Sequence, residues 1–148
     1  MTDQQYPHPT VGAMIFNQGG KFLLVRSHKW RDKYVIPGGH IELGERIEEA
    51  LRREIKEETN LEIYDIEFLK MQEFIFDASF YKKGHFIFLD HVCKTDSERV
   101  ILNDEAESFV WVTVEKALEL PIEPYTRILL EACIEKNIDT MQVSDSEM

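Results

Sequence analysis

Between Pro37 and Leu61 the chain reads PGGHIELGERIEEALRREIKEETNL, a segment crowded with carboxylates yet threaded with apolar residues. On an α-helix advancing about 100° per residue from Ile47, Ala50 falls at about 300°, Leu51 at about 40° and Ile55 at about 80°, one core-facing stripe. Glu54 at about 340° and Glu58 at about 20° fall inside that stripe, with Glu57 beside it at about 280°. Glu48, Glu49, Arg52 and Lys56 point the other way. A carboxylate on an inward face costs several kcal/mol unless it is paired, protonated or bound to a cation. Surface ion pairs with Arg53 and Lys56 are the simplest remedy. A cation site is the other.

The elements that must position these acids can be read around them. Thr10 to Phe16 and Lys21 to Ser27 are apolar strand-like runs joined by NQGG, which predicts a hairpin. Trp30 to Ile36 leads through a loop into a short strand that Pro37-Gly38-Gly39 stops, and Gly39 to Gly44 reads as loop. The helix follows from Glu45 to Thr59, and Asn60 stands where a left-handed residue ends a helix. Leu61 to Phe76 predicts a bent or interrupted strand, Gly84 to Cys93 another, and Ser108 to Val114 a last one. A helical turn over Glu115 to Leu120 precedes Pro121. Pro124 then opens a helix over Tyr125 to Lys136, with Ile128, Leu129, Ala132 and Cys133 sharing a face. Residues 1–138 read as one domain and 139–148 as a flexible acidic tail. A mixed sheet flanked by helices fits best, an α/β (α+β) class.

Composition narrows the partners. The 148 residues are 43% hydrophobic and 30% charged, enough for a core of one ordinary domain. A formal net charge of -11 offers no electrostatic footprint for a nucleic acid polymer or an anionic membrane. If such a chain handles phosphates, a bound cation must offset the repulsion. Cys93 and Cys133 are far apart and outside metal-binding spacing, so they read as buried thiols. The opening MTDQQYPHPT has no apolar core of a signal peptide, and no run approaches the ~18 apolar residues of a membrane span. A cytoplasmic protein is expected.

The spacing Gly39, five residues, Glu45, seven residues, then Arg53-Glu54-Ile55-Lys56-Glu57-Glu58-Thr59-Asn60-Leu61 resembles the Nudix box, G-x5-E-x7-R-E-U-x-E-E-x-G-U with U aliphatic. Asn60 replaces the glycine of the pattern, and asparagine is the usual second choice for that backbone. The resemblance extends to the VIPGGHIELGE lead-in, the opening hairpin and, more loosely, Trp111. It implies a Nudix-type α/β/α sandwich and, in most of that family, hydrolysis of a nucleoside diphosphate linked to another group with Mg²⁺ or Mn²⁺. It also implies site roles. Glu54, Glu57 and Glu58 would be metal ligands, joined by the Gly39 carbonyl. Arg53 would orient a glutamate, and Glu45 would fix the loop to the helix. Oxygen ligands of this kind suit Mg²⁺ or Mn²⁺ rather than zinc.

Outside the box, Glu105 lies six residues before Trp111, a placement resembling the additional metal ligand or base of some family members; Asp104 and Glu107 compete with it. Arg26 and Arg46 could reach phosphates, and Tyr34, Phe74, Phe76, His85 and Phe86 could stack a base. Arg26, Tyr34 and Phe76 are the chosen substrate contacts. The five histidines have no role set by the family pattern, although His40 lies in the box loop. GERIEEALRREI and VILNDEAESFVWV look most like small nucleoside triphosphate pyrophosphatases, which release a monophosphate and pyrophosphate. ADP-ribose or nucleotide-sugar hydrolysis is the alternative, and a non-catalytic nucleotide-binding module is the alternative of another class. The partner expected is a small-molecule nucleotide, and a homodimer is compatible with this reading.

Overall fold

Residues 4–136 are described by the structure, a computed structural model. The tail expected from residue 139 lies outside them. Strand alternation makes the central sheet apolar on both faces. In β1 (His8–Phe16), Ala13 and Ile15 turn to one side while Met14 and Phe16 turn to the other. In β2 (Phe22–Ser27), Leu23 and Val25 oppose Phe22 and Leu24 in the same way, and all eight side chains are buried. A sheet buried on both faces needs cover on both. Helix α1 (Ile47–Thr59) covers the first with Ala50, Leu51 and Ile55. Helices α2 (Val114–Ala117) and α3 (Pro124–Glu135) cover the second with Val114, Ala117, Leu129, Leu130 and Cys133. The result is the expected α/β/α sandwich.

Among the described residues the sheet has seven strands. β3 (Lys33–Val35), β2, β1, β6 (His85–Lys94) and β5 (Tyr64–Ile75) lie side by side, with β4 (Gly38–His40) on β1 and β7 (Ser108–Val112) on β2. β1 and β6 are parallel and the other pairs antiparallel, so the sheet is mixed. The β1–β2 hairpin is present, with the two strands paired at Phe16↔Phe22 beside the turn. β4 takes the other half of β1 with Thr10↔His40, Val11↔Gly39 and Gly12↔Gly38. The start of the box, expected as loop, is therefore a strand as far as His40. It requires Gly38, because a Cβ there would run into the Val11 carbonyl.

β5 is bent as expected, with register shifts between Tyr64 and Glu67 and between Phe68 and Lys70. Two packing expectations need correction. Ile47, used as the origin of the helical stripe, is 45% exposed because it is the first residue of α1 and precedes the turn that meets the sheet. Ile128 is 41% exposed, and the buried face of α3 runs through Thr126, Leu129, Leu130 and Cys133. Both cysteines are buried, and burial pushes the Cys93 thiol up to about 12.

Candidate active site

Arg53 is the hub of the box. Its Nε and Nη2 donate to the two oxygens of Glu45 at 2.6 and 2.9 Å, a bidentate grip on the loop before α1. The same guanidinium donates to the His40 carbonyl at 3.0 Å, to Glu54 at 3.0 Å and to Glu57 at 3.1 Å. Arg53 and the backbone bond from Glu42 hold Glu45 down at about 2. The loop, the strand β4 and the acid-bearing turn of α1 are thus pinned by one cation.

Glu58 is held differently. Its carboxylate accepts the Gly38 N–H at 2.7 Å and is otherwise enclosed, so burial, with Glu54 and Glu105 nearby, pushes it up to about 8. Burial also raises Glu54, against the pull of Arg53. The Glu54 carboxylate lies against the Gly39 backbone, where an added Cβ would overlap it. Glycine at position 39 is what lets the acid approach the strand.

The acid from outside the box arrives through the chain after β6. Ile101 N–H donates to the Thr59 carbonyl at 3.0 Å and Asn103 N–H to the Glu58 carbonyl at 3.4 Å, which ties this segment to the end of α1. Glu105 then accepts from Lys29 Nζ at 2.9 and 3.0 Å. Burial works to lower Lys29, but the bond and charge of Glu105 leave it raised. Glu58, Glu105, Lys29 and Gly38 line one small cavity of about 80 Å³. Glu107 is elsewhere, against His28, and Asp104 is not among the lining residues.

A larger cavity of about 170 Å³ opens beside it and shares Lys29, Trp30, Gly38 and Glu105 with the first. That is room for several waters' worth of a planar ligand at about 30 Å³ each. Its walls are Trp30, Phe80, Phe86, Phe88 and Tyr125, and its floor carries Asp90 and Glu123. Of the stacking candidates, Phe86 lines this cavity and Phe74 is fully buried behind it, 4.9 Å between ring centroids from Tyr125. Arg26, Tyr34 and Phe76 do not line it. Arg26 is exposed and bonds the Asp32 carbonyl, Tyr34 packs on the α3-side core, and Phe76 is 49% exposed under Lys83. His40 does line it, and burial with His8 nearby lowers its pKa.

Sequence reasoning missed Lys29, Trp30, Phe80, Phe88, Asp90, Glu123 and Tyr125. One signal was available. Phe86, Phe88 and Asp90 alternate along β6 and so must share a face. The other residues come together only through tertiary packing.

The acids fit a divalent cation by their donor chemistry. Glu54, Glu57 and Glu58 with the Gly39 carbonyl form an all-oxygen set, and Glu45, Glu54 and Glu57 share the single charge of Arg53. Among the described residues, the ligand atoms that lie within 4.8 Å of one another belong to His28, Asp32 and Glu107. That cluster is exposed, and nothing neighbouring it points to a ligand.

Residues 6–133 match the family described as NUDIX domain. The nucleoside triphosphatase NudI of Klebsiella pneumoniae is 31% identical over 135 residues, which are 83% of this chain and 94% of the relative. The ADP-ribose pyrophosphatase of Methanocaldococcus jannaschii is 42% identical over 59 residues, 38% of this chain and 35% of that protein. A crystal structure of a MutT NUDIX hydrolase from Burkholderia pseudomallei shares the fold with a TM-score of 0.74 at 25% identity, covering 86% of this chain and 98% of the other.

Proposed function

The chain belongs to the NUDIX-domain family and is a Nudix hydrolase, and from that premise we propose that it cleaves a nucleoside triphosphate to a monophosphate and pyrophosphate. The observation that carries this reading is Glu58, enclosed and held by the Gly38 N–H beside Glu54 and Glu105 at one end of a cleft whose other end is aromatic. Acids at one end and rings at the other suit a nucleotide, with its phosphates against the box and its base between the rings.

Glu54, Glu57, Glu58 and the Gly39 carbonyl would hold Mg²⁺ or Mn²⁺, which when bound supplies charge neutralisation and a more acidic water. Water attacks phosphorus, the bridging P–O bond breaks, pyrophosphate leaves with that oxygen, and a carboxylate takes the water's proton. Arg53 keeps Glu54 and Glu57 in place. Glu105 completes the acidic set, and Lys29 is positioned to meet phosphate at the junction of the two cavities. No helix among the described residues is long and apolar enough to cross a membrane.

Similarity to the nucleoside triphosphatase runs over most of the chain, whereas similarity to the ADP-ribose pyrophosphatase covers 38% of it. The segment between α1 and β7 also has no large insertion to build a second sugar pocket. The deciding experiment is a panel of nucleoside triphosphates, their deoxy forms, ADP-ribose and nucleotide sugars, assayed with Mg²⁺ and with Mn²⁺. A triphosphate should give the highest kcat/KM, with pyrophosphate as product. A lead of tenfold or more for ADP-ribose or a nucleotide sugar overturns the substrate, and no hydrolysis with either metal overturns the reaction.

A further inference from the structure

Asp90 stands apart from the acids of the box. It sits on β6 at the floor of the aromatic cavity, 7% exposed, and among the described residues nothing donates a hydrogen bond to its carboxyl. Its neighbour Glu123 is the opposite case. Glu123 caps α3, accepting from Thr126 N–H at 2.9 Å and Thr126 Oγ1 at 3.3 Å, and from Ser79 Oγ at 3.1 Å. The opposing position on β1 is Gly12, where an added Cβ would come within 2.9 Å of Asp90 Oδ1. Glycine at this position is what lets the carboxylate pack closely against β1. An acceptor that faces the cavity with no donor among the described residues is satisfied only by what enters the cavity, so a ligand that expels water from it must bring a donor.

Resting on the triphosphate reading, we infer that Asp90 is the specificity-determining residue for the base and selects one carrying an exocyclic amino group. Trp30, Phe80, Phe86, Phe88 and Tyr125 supply flat faces that hold any ring but identify none. Asp90 supplies the acceptor that distinguishes them. An amino group donates to it, whereas a carbonyl at the same ring position sets one acceptor against another there. Burial, with the charge of Glu123 adding to it, pushes Asp90 up to about 7, so the acid is the pure acceptor only above that pH and the comparison belongs at about pH 8.5.

The test compares CTP with UTP and ATP with ITP, pairs in which a carbonyl replaces the amino group and an N–H replaces the bare ring nitrogen beside it. With Mg²⁺, kcat/KM should favour the amino-bearing member by about tenfold or more in at least one pair, with the difference in KM. Asp90→Asn, whose amide offers both a donor and an acceptor, should shrink that ratio below about threefold. Without metal, CMP should quench the fluorescence of Trp30 at lower concentration than UMP, or AMP at lower concentration than IMP, which gives a readout independent of turnover. Equal use of both members in both pairs overturns the inference, as does a preference that survives in Asp90→Asn. Should that variant fail to fold, Asp90→Ser is read in its place. Absence of hydrolysis of every triphosphate would instead sink the triphosphate reading, and the metal-free binding comparison would still decide the role of Asp90.

Discussion

Glu58 carries two opposed burdens. Its carboxylate is enclosed and pushed up to about 8, yet the proposed chemistry needs it charged. A bound cation would resolve the conflict by supplying the opposite charge that burial denies it. Glu58→Gln should therefore lower turnover by orders of magnitude, while the metal-free melting temperature stays unchanged or rises, because a strained acid has been removed. A variant that keeps a near-normal rate with Mg²⁺ would refute the assignment. Lys29 makes a separate case. Its ion pair with Glu105 joins two side chains that are each more than 40% exposed, so its contribution to stability is small. Lys29→Ala should raise KM for a triphosphate by about tenfold with little change in melting temperature, a loss of ~1.4 kcal/mol of phosphate attraction. Weaker competitive inhibition by uncharged nucleosides as well would mean that the cavity itself had been disturbed.

At the scale of elements, α1 shows what patterning reveals and where it stops. Its apolar stripe, its acidic end and its termination were legible because each depends on residues a few positions apart. Asn60 adopts φ 71° and its N–H closes on the Lys56 carbonyl at 3.0 Å, the left-handed end that the spacing predicts. Asn60→Gly should accordingly be neutral or mildly stabilising, and Asn60→Val should cost about 1 kcal/mol or more in chemical denaturation. Equal tolerance of both would show that the backbone there relaxes freely. β4 was not legible, since Gly38-Gly39-His40 has no alternation and becomes a strand only by pairing with β1. The aromatic cavity was hidden for a related reason. Trp30, Phe80 and Tyr125 come from three separate segments, and only the fold places them against Phe86 and Phe88 on β6. Exposure of Ile47 and Ile128 shows the same limit, because an apolar residue near the edge of a helical face is buried only where a neighbour reaches it.

Over the whole molecule, these buried acids make stability a function of pH in a direction that can be worked out. Glu58 is raised from 4.5 to about 8 and Asp90 from 3.8 to about 7, so between those limits the folded protein binds more protons than the unfolded chain. Stability then falls as pH rises through the window, by up to about 1.4 kcal/mol per pH unit for each group that titrates fully in the folded state alone. Glu54 and Glu123, raised by burial, act in the same sense. His40 and His91 are lowered by burial and oppose it, but only below the ordinary histidine value of 6.5. Glu45, held at about 2, titrates in a more acidic range still. The clean interval therefore runs from the ordinary histidine value of 6.5 to the raised Glu58 at about 8. With a chelator present, the melting temperature should fall across it by several degrees, at about 4 °C per kcal/mol for a chain of this size. On the proposed assignment Mg²⁺ binds the folded state through ionised carboxylates, so it should raise the melting temperature more at the top of the interval than at the bottom. Glu58→Gln should flatten the chelated profile and abolish most of the Mg²⁺ increment, whereas Asp90→Asn should flatten only the lower end of the interval, near pH 7, and keep the increment. Loss of the increment in Asp90→Asn as well would place the cation in the aromatic cavity rather than on the box.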